Sequence, residues 1–167
     1  IDPLCRARIH HPPAVGDPAA EHVADDNQSS LVVAIEAAGR RLLLTGDLEG
    51  AALQRFLAGP LEACDVLIAP HHGSHTSLPA DIAARTRPRY VLASGRGGRR
   101  WPEVQRAYGV AAGADAEVFL TGRTGALAVW MTAGSVEVQR YVAGRWQPLS
   151  PARAAVPQRR SQEPCPV

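Results

Sequence analysis

The stretch from Asp65 to Ser77 reads DVLIAPHHGSHTS and decides how the fold is interpreted. Its first part, Val66 to Ala69, is a short apolar run that predicts a buried strand. Pro70 ends this run, and the residues that follow comprise three histidines, one glycine and three hydroxyl side chains. A buried strand leading into a polar loop is typical of α/β proteins, in which a rigid scaffold carries the reactive groups on its loops.

A second stretch, Arg41 to Glu49, repeats this arrangement further upstream. The apolar residues Leu42 to Leu44 predict another buried strand, and the sequence TGD follows, ending at Asp47. Two strands that each end in a residue able to bind a metal ion predict a metal site where those strands end.

Hydrophobic patterns divide the rest of the chain into alternating strands and helices. The predicted strands span residues 4–9, 31–36, 41–45, 66–69, 90–93, 117–120, 126–131 and 135–141, and the predicted helices span residues 49–57, 79–86 and 102–108. Ser77 is the expected N-cap of the second helix. The order is a β-hairpin, then alternating helices and strands, then a β-meander, and it predicts a layered α/β protein. Residues 148–167 are rich in Pro, Arg, Ser and Gln, and we expect them to form a disordered tail after a domain at 1–147.

The composition excludes several classes of protein. With 167 residues, 46% hydrophobic and 20% charged, the chain is typical of one globular domain, and its net charge of +2 does not by itself argue for nucleic-acid binding. No apolar run approaches the about 20 residues of a membrane span, and no signal segment is visible. The three cysteines have no CxxC spacing, so neither a zinc knuckle nor a disulfide framework is expected. Cys64 is expected to be a small core residue.

Three places in the sequence offer metal ligands: the pair His10 and His11, the single Asp47, and the pair His71 and His72. A dinuclear hydrolase combines several imidazoles with a carboxylate that bridges two cations about 3.5–4 Å apart, and Asp47 suits the bridging position. For each residue alone an ordinary structural role remains open. An Asp after a strand also serves as a helix N-cap, and a His-His pair also occurs in surface loops.

Several motifs resemble the metallo-β-lactamase-like domain of the ComEC family of DNA-uptake channel proteins. The most specific are LLTGDLE at residues 43–49 and ACDVLIAPHHGS at residues 63–74. The stretch DNQSSLV at residues 26–32, the strand at residues 88–95 and the turn at residues 121–125 extend the resemblance to roughly residues 8–131. It implies a metallo-β-lactamase-like αββα sandwich with a di-metal site at the strand ends.

The resemblance also implies roles for individual residues. The implied metal ligands are His11, Asp47, His71 and His72, with Asp47 bridging the two ions and with Asp47 and His71 as the catalytic pair. Which of His71 and His72 is the ligand stays open, as does the choice between His10 and His11. The cofactor would be a divalent metal, zinc or manganese, with two ions per intact domain and no nucleotide cofactor.

Three hydroxyl side chains, Ser74, Thr76 and Ser77, would line the mouth of the site and contact a substrate phosphate. The implied function of the intact domain is that of a metal-dependent hydrolase, a nuclease or phosphodiesterase that acts on DNA during uptake and natural transformation. Without the missing N-terminal half, we expect weak or no activity of the chain alone. Its partners would be DNA and the membrane channel segments that precede the domain. The implied location is therefore membrane-associated, with the domain outside the cytoplasm.

Two departures from the family pattern set the limits of this interpretation. The HxHxDH loop that supplies most ligands of the first metal is absent, because histidines occur only at positions 10, 11, 22, 71, 72 and 75. In the family this loop lies N-terminal to the matching region, so we expect the chain to be the C-terminal half of such a domain, with a large apolar face left open. Where the family carries YGHP, residues 98–102 read GRRWP, and the arginines at 96, 99 and 100 either meet phosphates or are solvated.

Two alternatives to the nuclease interpretation remain. One is a catalytically inactive scaffold with the metallo-β-lactamase fold, or a truncated fragment of the domain. The other is a standalone metallo-hydrolase that acts on small esters.

Overall fold

The computed structural model describes residues 5–13, 26–113 and 116–149, and the described part contains two β-sheets. The larger sheet contains, in spatial order, β1 (Cys5–His11), β2 (Val32–Ala37), β3 (Arg40–Leu44), β4 (Val66–Ile68), β5 (Tyr90–Ala93) and β6 (Glu117–Leu120). The smaller sheet contains β7 (Leu127–Met131), β8 (Val136–Val142) and β9 (Arg145–Pro148). The helices are α1 (Gly50–Ala58), α2 (Pro79–Thr86), α3 (Trp101–Ala112) and the short α4 (Thr121–Thr124), with 3₁₀ turns at Asn27–Ser29 and Pro70–Gly73.

Strand direction brings most strand ends of the larger sheet to one edge. β1 pairs antiparallel with β2 and β2 with β3, whereas β3, β4, β5 and β6 are parallel neighbours. The strands β1, β3, β4, β5 and β6 therefore all end at the same edge of the sheet, which we call the site edge. In open α/β sheets, ligands bind outside the carboxyl ends of the strands.

The larger sheet lies between a layer of helices and the smaller sheet. In β5, Val91 packs against the helix-side core, whereas Tyr90 and Leu92 pack with Val136 and Val138 of the smaller sheet. The central strands are therefore buried on both faces, which explains their continuous apolar runs. The smaller sheet covers much of the face that we expected to be open. These layers confirm the predicted α/β class.

At the edge opposite the site, a buried ion pair joins the two sheets. Arg40 is 8% exposed, and its Nη1 lies 3.6 Å from Asp65 Oδ1 while its Nη2 donates to the carbonyl of Ala133 at 3.1 Å. Asp65 Oδ2 also accepts a hydrogen bond from the backbone N–H of Arg41 at 2.8 Å. Asp65 thereby connects β3 to the start of β4, and Arg40 connects both to the β7–β8 turn.

The sequence predicted most elements, and three differences have clear causes. The predicted strand at residues 90–93 and helix at residues 79–86 are confirmed to the residue. Ser77 is not the N-cap of α2, because Leu78 occupies that position with φ of +47° and the Ser77 hydroxyl donates to the carbonyl of Ser74 at 2.6 Å. β1 continues through His11 because it pairs with β2 to its last residue. α3 continues four residues past the predicted end at Tyr108.

The last described strand was not predicted. β9 pairs with β8 as far as Pro148, and Leu149 packs against the core between the sheets. Ordered structure therefore extends at least two residues past the predicted boundary at residue 147. The rest of the predicted tail, residues 150–167, lies outside the described residues, as do residues 14–25. In the described part, no helix is long and apolar enough to cross a membrane.

Gly73 offers a test of how tightly the histidine loop is packed. Its φ is +76°, and an added Cβ would lie 3.0 Å from both Ala93 Cβ and Trp101 Cζ3. We expect Gly73→Ala to lower the free energy of unfolding by about 1–3 kcal/mol, measured by urea denaturation. The matched control is Gly109→Ala in α3, where a Cβ meets nothing within 4 Å and where alanine is expected to stabilise the helix by about 0.5–1 kcal/mol. Equal effects of the two substitutions would contradict the packing described.

The buried thiol of Cys64 and the buried phenol of Tyr108 predict that the free energy of unfolding falls in alkaline solution. Burial raises the pKa of the Cys64 thiol to about 12 and that of the Tyr108 phenol to about 12. In the unfolded chain these groups ionise near about 8.5–9 and 10, so the unfolded state loses protons that the native state retains, and stability declines as pH rises above about 9. The chain has no lysine to titrate in the same window. Between pH 8 and 10.5, the urea midpoint should fall less steeply with pH in Cys64→Ala than in the unmodified chain. An equal slope in the two proteins would contradict the prediction.

Candidate functional site at the strand ends

Two loops at the site edge are joined by hydrogen bonds. Thr45 is fully buried, and its hydroxyl donates to the carbonyl of Ile68 at 2.6 Å, which connects the ends of β3 and β4. The backbone N–H of His71 donates to the carbonyl of Gly46 at 3.0 Å. The TGD loop and the histidine loop are thus fixed relative to one another, and their side chains emerge side by side.

The two histidines of the second loop have unusual backbone conformations. His71 has φ of +47° and His72 has φ of +58°, and Gly73 continues the left-handed run with φ of +76°. A non-glycine residue in this region costs on the order of 1–3 kcal/mol, and such residues cluster at functional sites. This backbone turns both imidazoles out of the sheet edge, with ring centroids 6.3 Å apart.

His72 lies opposite Asp47. Its Nε2 is 3.4 Å from Asp47 Oδ1, and its Nδ1 is 2.5 Å from the hydroxyl of Ser94 at the end of β5. The side chains of His72 and Asp47 are 62% and 44% exposed, so both remain open to solvent and to a ligand. The Asp47 backbone N–H is held by the hydroxyl of Ser30 at 3.1 Å, which fixes the turn that carries the carboxylate.

His71 faces a different carboxylate. Its Nδ1 is 2.7 Å from Glu49 Oε2, and the other carboxylate oxygen of Glu49 accepts a hydrogen bond from Asn27 Nδ2 at 2.7 Å. An ionised carboxylate only accepts hydrogen bonds, so Nδ1 of His71 carries the proton. When His71 is neutral, its Nε2 is therefore unprotonated and available to a metal ion or a proton. A carboxylate that orients a histidine in this way is common around metal sites.

The two histidines at the end of β1 point to different places. His11 is buried, and its Nε2 donates to the carbonyl of Gln28 at 2.7 Å, which leaves only Nδ1 for another partner. Nε2 of His10 is 3.4 Å from Nη2 of Arg41. Burial and then the charge of Arg41 lower the pKa of His10, so this imidazole is neutral. Of the pair, His11 is the residue that ends β1 at the site edge.

The Asp47–His72 pair fits one corner of a metal site. Two ligands of a tetrahedral zinc ion, each about 2.1 Å from the metal, stand about 3.4 Å apart. The separation of Asp47 Oδ1 and His72 Nε2 is 3.4 Å. Within residues 5–13, 26–113 and 116–149, no group of three or more His, Cys, Asp or Glu side chains lies close enough to hold a metal ion. The described residues therefore bring together two side chains of the kind that bind metal ions, and their role as ligands stays a prediction, as does the full set of four.

The three predicted substrate-binding hydroxyls do not form one surface. The hydroxyls of Ser74 and Thr76 are 2.8 Å apart near the mouth of the loop, and Thr76 is exposed. Ser77 is fully buried, with its hydroxyl bonded to the carbonyl of Ser74. Ser77 thus holds the loop together below the surface that a substrate would meet.

A cavity of about 280 Å³ opens beside the two histidines. Its walls come from the histidine loop, the loop after β5 and the first turns of α3, including His72, Ser94, Arg96, Arg100 and Trp101. A larger cleft of about 770 Å³ is lined by Arg8, His10 and Glu62 among others, and of the candidate ligands it contains only His10. The smaller cavity is lined by both His71 and His72, whereas Asp47 is not among its lining residues.

Sequence reasoning missed three side chains that complete this arrangement. Glu49 and Asn27 orient His71, and Ser94 contacts His72. Glu49 follows the TGD motif by two residues, and Ser94 directly follows β5, so both have the strand-end position that identified Asp47. Asn27 has no such signal, because it belongs to a 3₁₀ turn that precedes β2.

Comparison with known proteins reveals a relative among the competence proteins. The chain is 31% identical over 125 residues to Competence protein ComA of Neisseria gonorrhoeae. This similarity supports a relationship to the ComEC family. The alignment covers 70% of the chain but 17% of the competence protein, so the chain corresponds to a small part of that relative. No protein-family profile matches the chain.

The contact between Glu49 and His71 predicts the tautomer of this histidine. We expect neutral His71 to carry its proton on Nδ1, because Glu49 accepts from that nitrogen. Long-range ¹⁵N–¹H correlation spectra at pH 8 should show this Nδ1–H form, and Glu49→Leu should shift His71 toward the Nε2–H form that predominates in free histidine. A spectrum unchanged by Glu49→Leu would contradict the contact, and His75, which is exposed, serves as the internal reference.

Proposed function

We propose that this chain is part of a metal-dependent phosphodiesterase that acts on DNA in a ComEC-type uptake system. The observation that carries the proposal is the 3.4 Å approach of Asp47 Oδ1 to His72 Nε2 at the site edge. A carboxylate and an imidazole suit zinc and also manganese. The relative with which the chain aligns is a competence protein, which is what links the proposal to DNA uptake.

In this proposal Asp47 and His72 hold the cation, and His11 and His71 are the further ligands. A bound divalent metal would polarise a phosphoryl oxygen and lower the pKa of a bound water. The hydrogen bond between His72 Nδ1 and the Ser94 hydroxyl directs Nε2 toward Asp47, and the bond from His71 Nδ1 to Glu49 leaves Nε2 of neutral His71 unprotonated. His71 can therefore act as a ligand or accept a proton at Nε2.

Hydrolysis of a phosphodiester forms one P–O bond to the oxygen of water and breaks the P–O bond to the leaving sugar oxygen. Water gives up one proton and the leaving oxygen takes up another. If His71 is not itself a metal ligand, its Nε2, oriented by Glu49, would take the proton from water and return a proton to the leaving oxygen. The remaining ligands and the membrane channel segments would come from the rest of a protein related to the competence relative, and the proposed system would then act at a membrane.

Metal binding and hydrolysis test this proposal. We expect the chain to bind zinc or manganese in isothermal titration, and we expect Asp47→Ala and His72→Ala each to weaken the binding by about 100-fold, since even removal of an orienting group costs about 10–100-fold. His75→Ala is the matched control, because His75 is exposed and three residues away from His72. Any cleavage of a fluorescent single-stranded oligonucleotide with added metal should be reduced in Asp47→Ala and His72→Ala and retained in His75→Ala.

The alternatives predict other results. An inactive scaffold binds no metal, and its Asp47→Ala variant then behaves as the unmodified chain does. A hydrolase of small esters cleaves bis(p-nitrophenyl) phosphate or a lactone in an Asp47-dependent reaction and leaves the oligonucleotide intact.

A further inference from the structure

The loop after β5 is exposed but held in one conformation. Residues 94–100 are all exposed, and Gly95 and Gly97 have φ of +131° and +75°. The Gly95 N–H is bonded to the Thr121 hydroxyl at 2.8 Å, and the Gly95 carbonyl accepts from the Gly122 N–H at 2.7 Å. Gly97 packs against buried Trp101 so closely that an added Cβ would lie 3.3 Å from its Cβ and Cγ. The loop is therefore a fixed platform for its side chains.

This platform carries arginines that have no partner in the described part of the chain. The side chains of Arg96, Arg99 and Arg100 make no ion pair or hydrogen bond with any described residue. Arg123 in α4, which is equally unpaired there, follows Gly122, whose N–H bonds the loop at Gly95. Four guanidinium groups thus stand at the site edge without a neutralising carboxylate, and arginine is the side chain best suited to bind phosphate oxygens in pairs.

Arginines at the opposite edge of the sheet, in contrast, have carboxylate partners. There Arg8 and Arg41 both pair with Glu62, and Arg41 also pairs with Glu36 at 3.5 Å. Arg8, Arg40 and Arg41 thus each have a carboxylate within 3.6 Å. Arg96, Arg99, Arg100 and Arg123 have no such partner among the described residues.

The cavity connects these arginines to the candidate site. Arg96 and Arg100 line the same 280 Å³ space as His72 and Ser94. An anion bound between Arg96 and Arg100 therefore sits in the cavity that His72 also lines. One phosphodiester carries a single negative charge, so four arginines match a run of several phosphates better than one small ester.

We infer that the loop at residues 94–100, together with Arg123, is a phosphate-binding surface that holds the backbone of a single-stranded nucleic acid at the site edge. Arg96 and Arg100 bind the phosphate within the cavity, and Arg99 and Arg123 bind its neighbours. This inference rests on the proposed function for its choice of polyanion, and it assigns the residues that bind the substrate rather than those that cleave it.

Binding without cleavage tests this inference. Fluorescence anisotropy measures the affinity of the chain for a labelled twelve-nucleotide thymidine oligomer in EDTA, where no metal-dependent hydrolysis occurs. We expect the Arg96→Ala/Arg100→Ala double variant to weaken binding about tenfold or more. It should also reduce the slope of log K against log[NaCl] by about 1.4, because each phosphate that an arginine neutralises on a single strand adds about 0.7 to that slope. The matched control is Arg6→Ala/Arg145→Ala, which removes the same charge at exposed positions elsewhere.

The outcomes separate the possibilities. Equal losses in the two double variants would show a general charge effect and overturn the inference, as would unchanged binding in Arg96→Ala/Arg100→Ala. Displacement of the oligomer by low millimolar inorganic phosphate would show a site for one small phosphate and overturn the assignment of a nucleic-acid backbone. If Arg96→Ala/Arg100→Ala does not fold, judged by circular dichroism, Arg99→Ala/Arg123→Ala takes its place with the same expected reduction of slope.

The result is independent of the proposed catalytic activity. An oligomer that binds through these arginines but is not cleaved with added metal contradicts the proposed function alone. An oligomer that is cleaved in an Asp47-dependent reaction, with affinity unaffected by the arginine variants, contradicts this inference alone.

Discussion

The candidate site depends on the hydrogen bonds that join the loop after β3 to the loop after β4. The buried hydroxyl of Thr45 binds the carbonyl of Ile68, and the N–H of His71 binds the carbonyl of Gly46. Both bonds exist because β3 and β4 are parallel neighbours in register, so their loops leave the sheet at the same height. Asp47 lies one residue after Gly46 and His72 one residue after His71. The separation of this carboxylate and imidazole is therefore set by the backbone of the two loops rather than by side-chain choice alone.

The arginines at the two edges of the larger sheet differ in burial and in their acidic partners. At the edge opposite the site, buried Arg40 and Arg41 hold the start of β3 to Asp65 and neighbouring acids, and burial makes these pairs sensitive to the loss of either partner. At the site edge, the arginines of the loop after β5 are exposed and unpaired within the described residues. The small net charge of +2 conceals this asymmetry, because the formal sum treats paired and unpaired charges alike.

The sequence predicted the scaffold better than the site. Strand and helix positions follow from runs and periods of apolar residues, which is why the strand at residues 90–93 and the helix at residues 79–86 were found with their observed bounds. The strand-end position of Asp47 was also visible. The partners of His71 and His72 were not, since Glu49 and Ser94 are each 22 residues away along the chain and meet the histidines only through the parallel register of the sheet. β9 escaped prediction because its four residues, RWQP, have no apolar alternation.

The first strand has a consequence for how the chain behaves in concentrated solution. β1 pairs with β2 on one side, and no strand within residues 5–13, 26–113 and 116–149 pairs with its other side, so β1 is an edge strand of the described sheet. Ile9 on this strand is 64% exposed, so the edge also presents an apolar side chain that could favour association of two copies. Arg6 and Arg8 alternate with the apolar residues of β1 and are exposed, and of the two Arg8 also pairs with Glu62 at 3.6 Å. Positive charges on an edge strand oppose the stacking of one copy on another, because two such edges brought together repel.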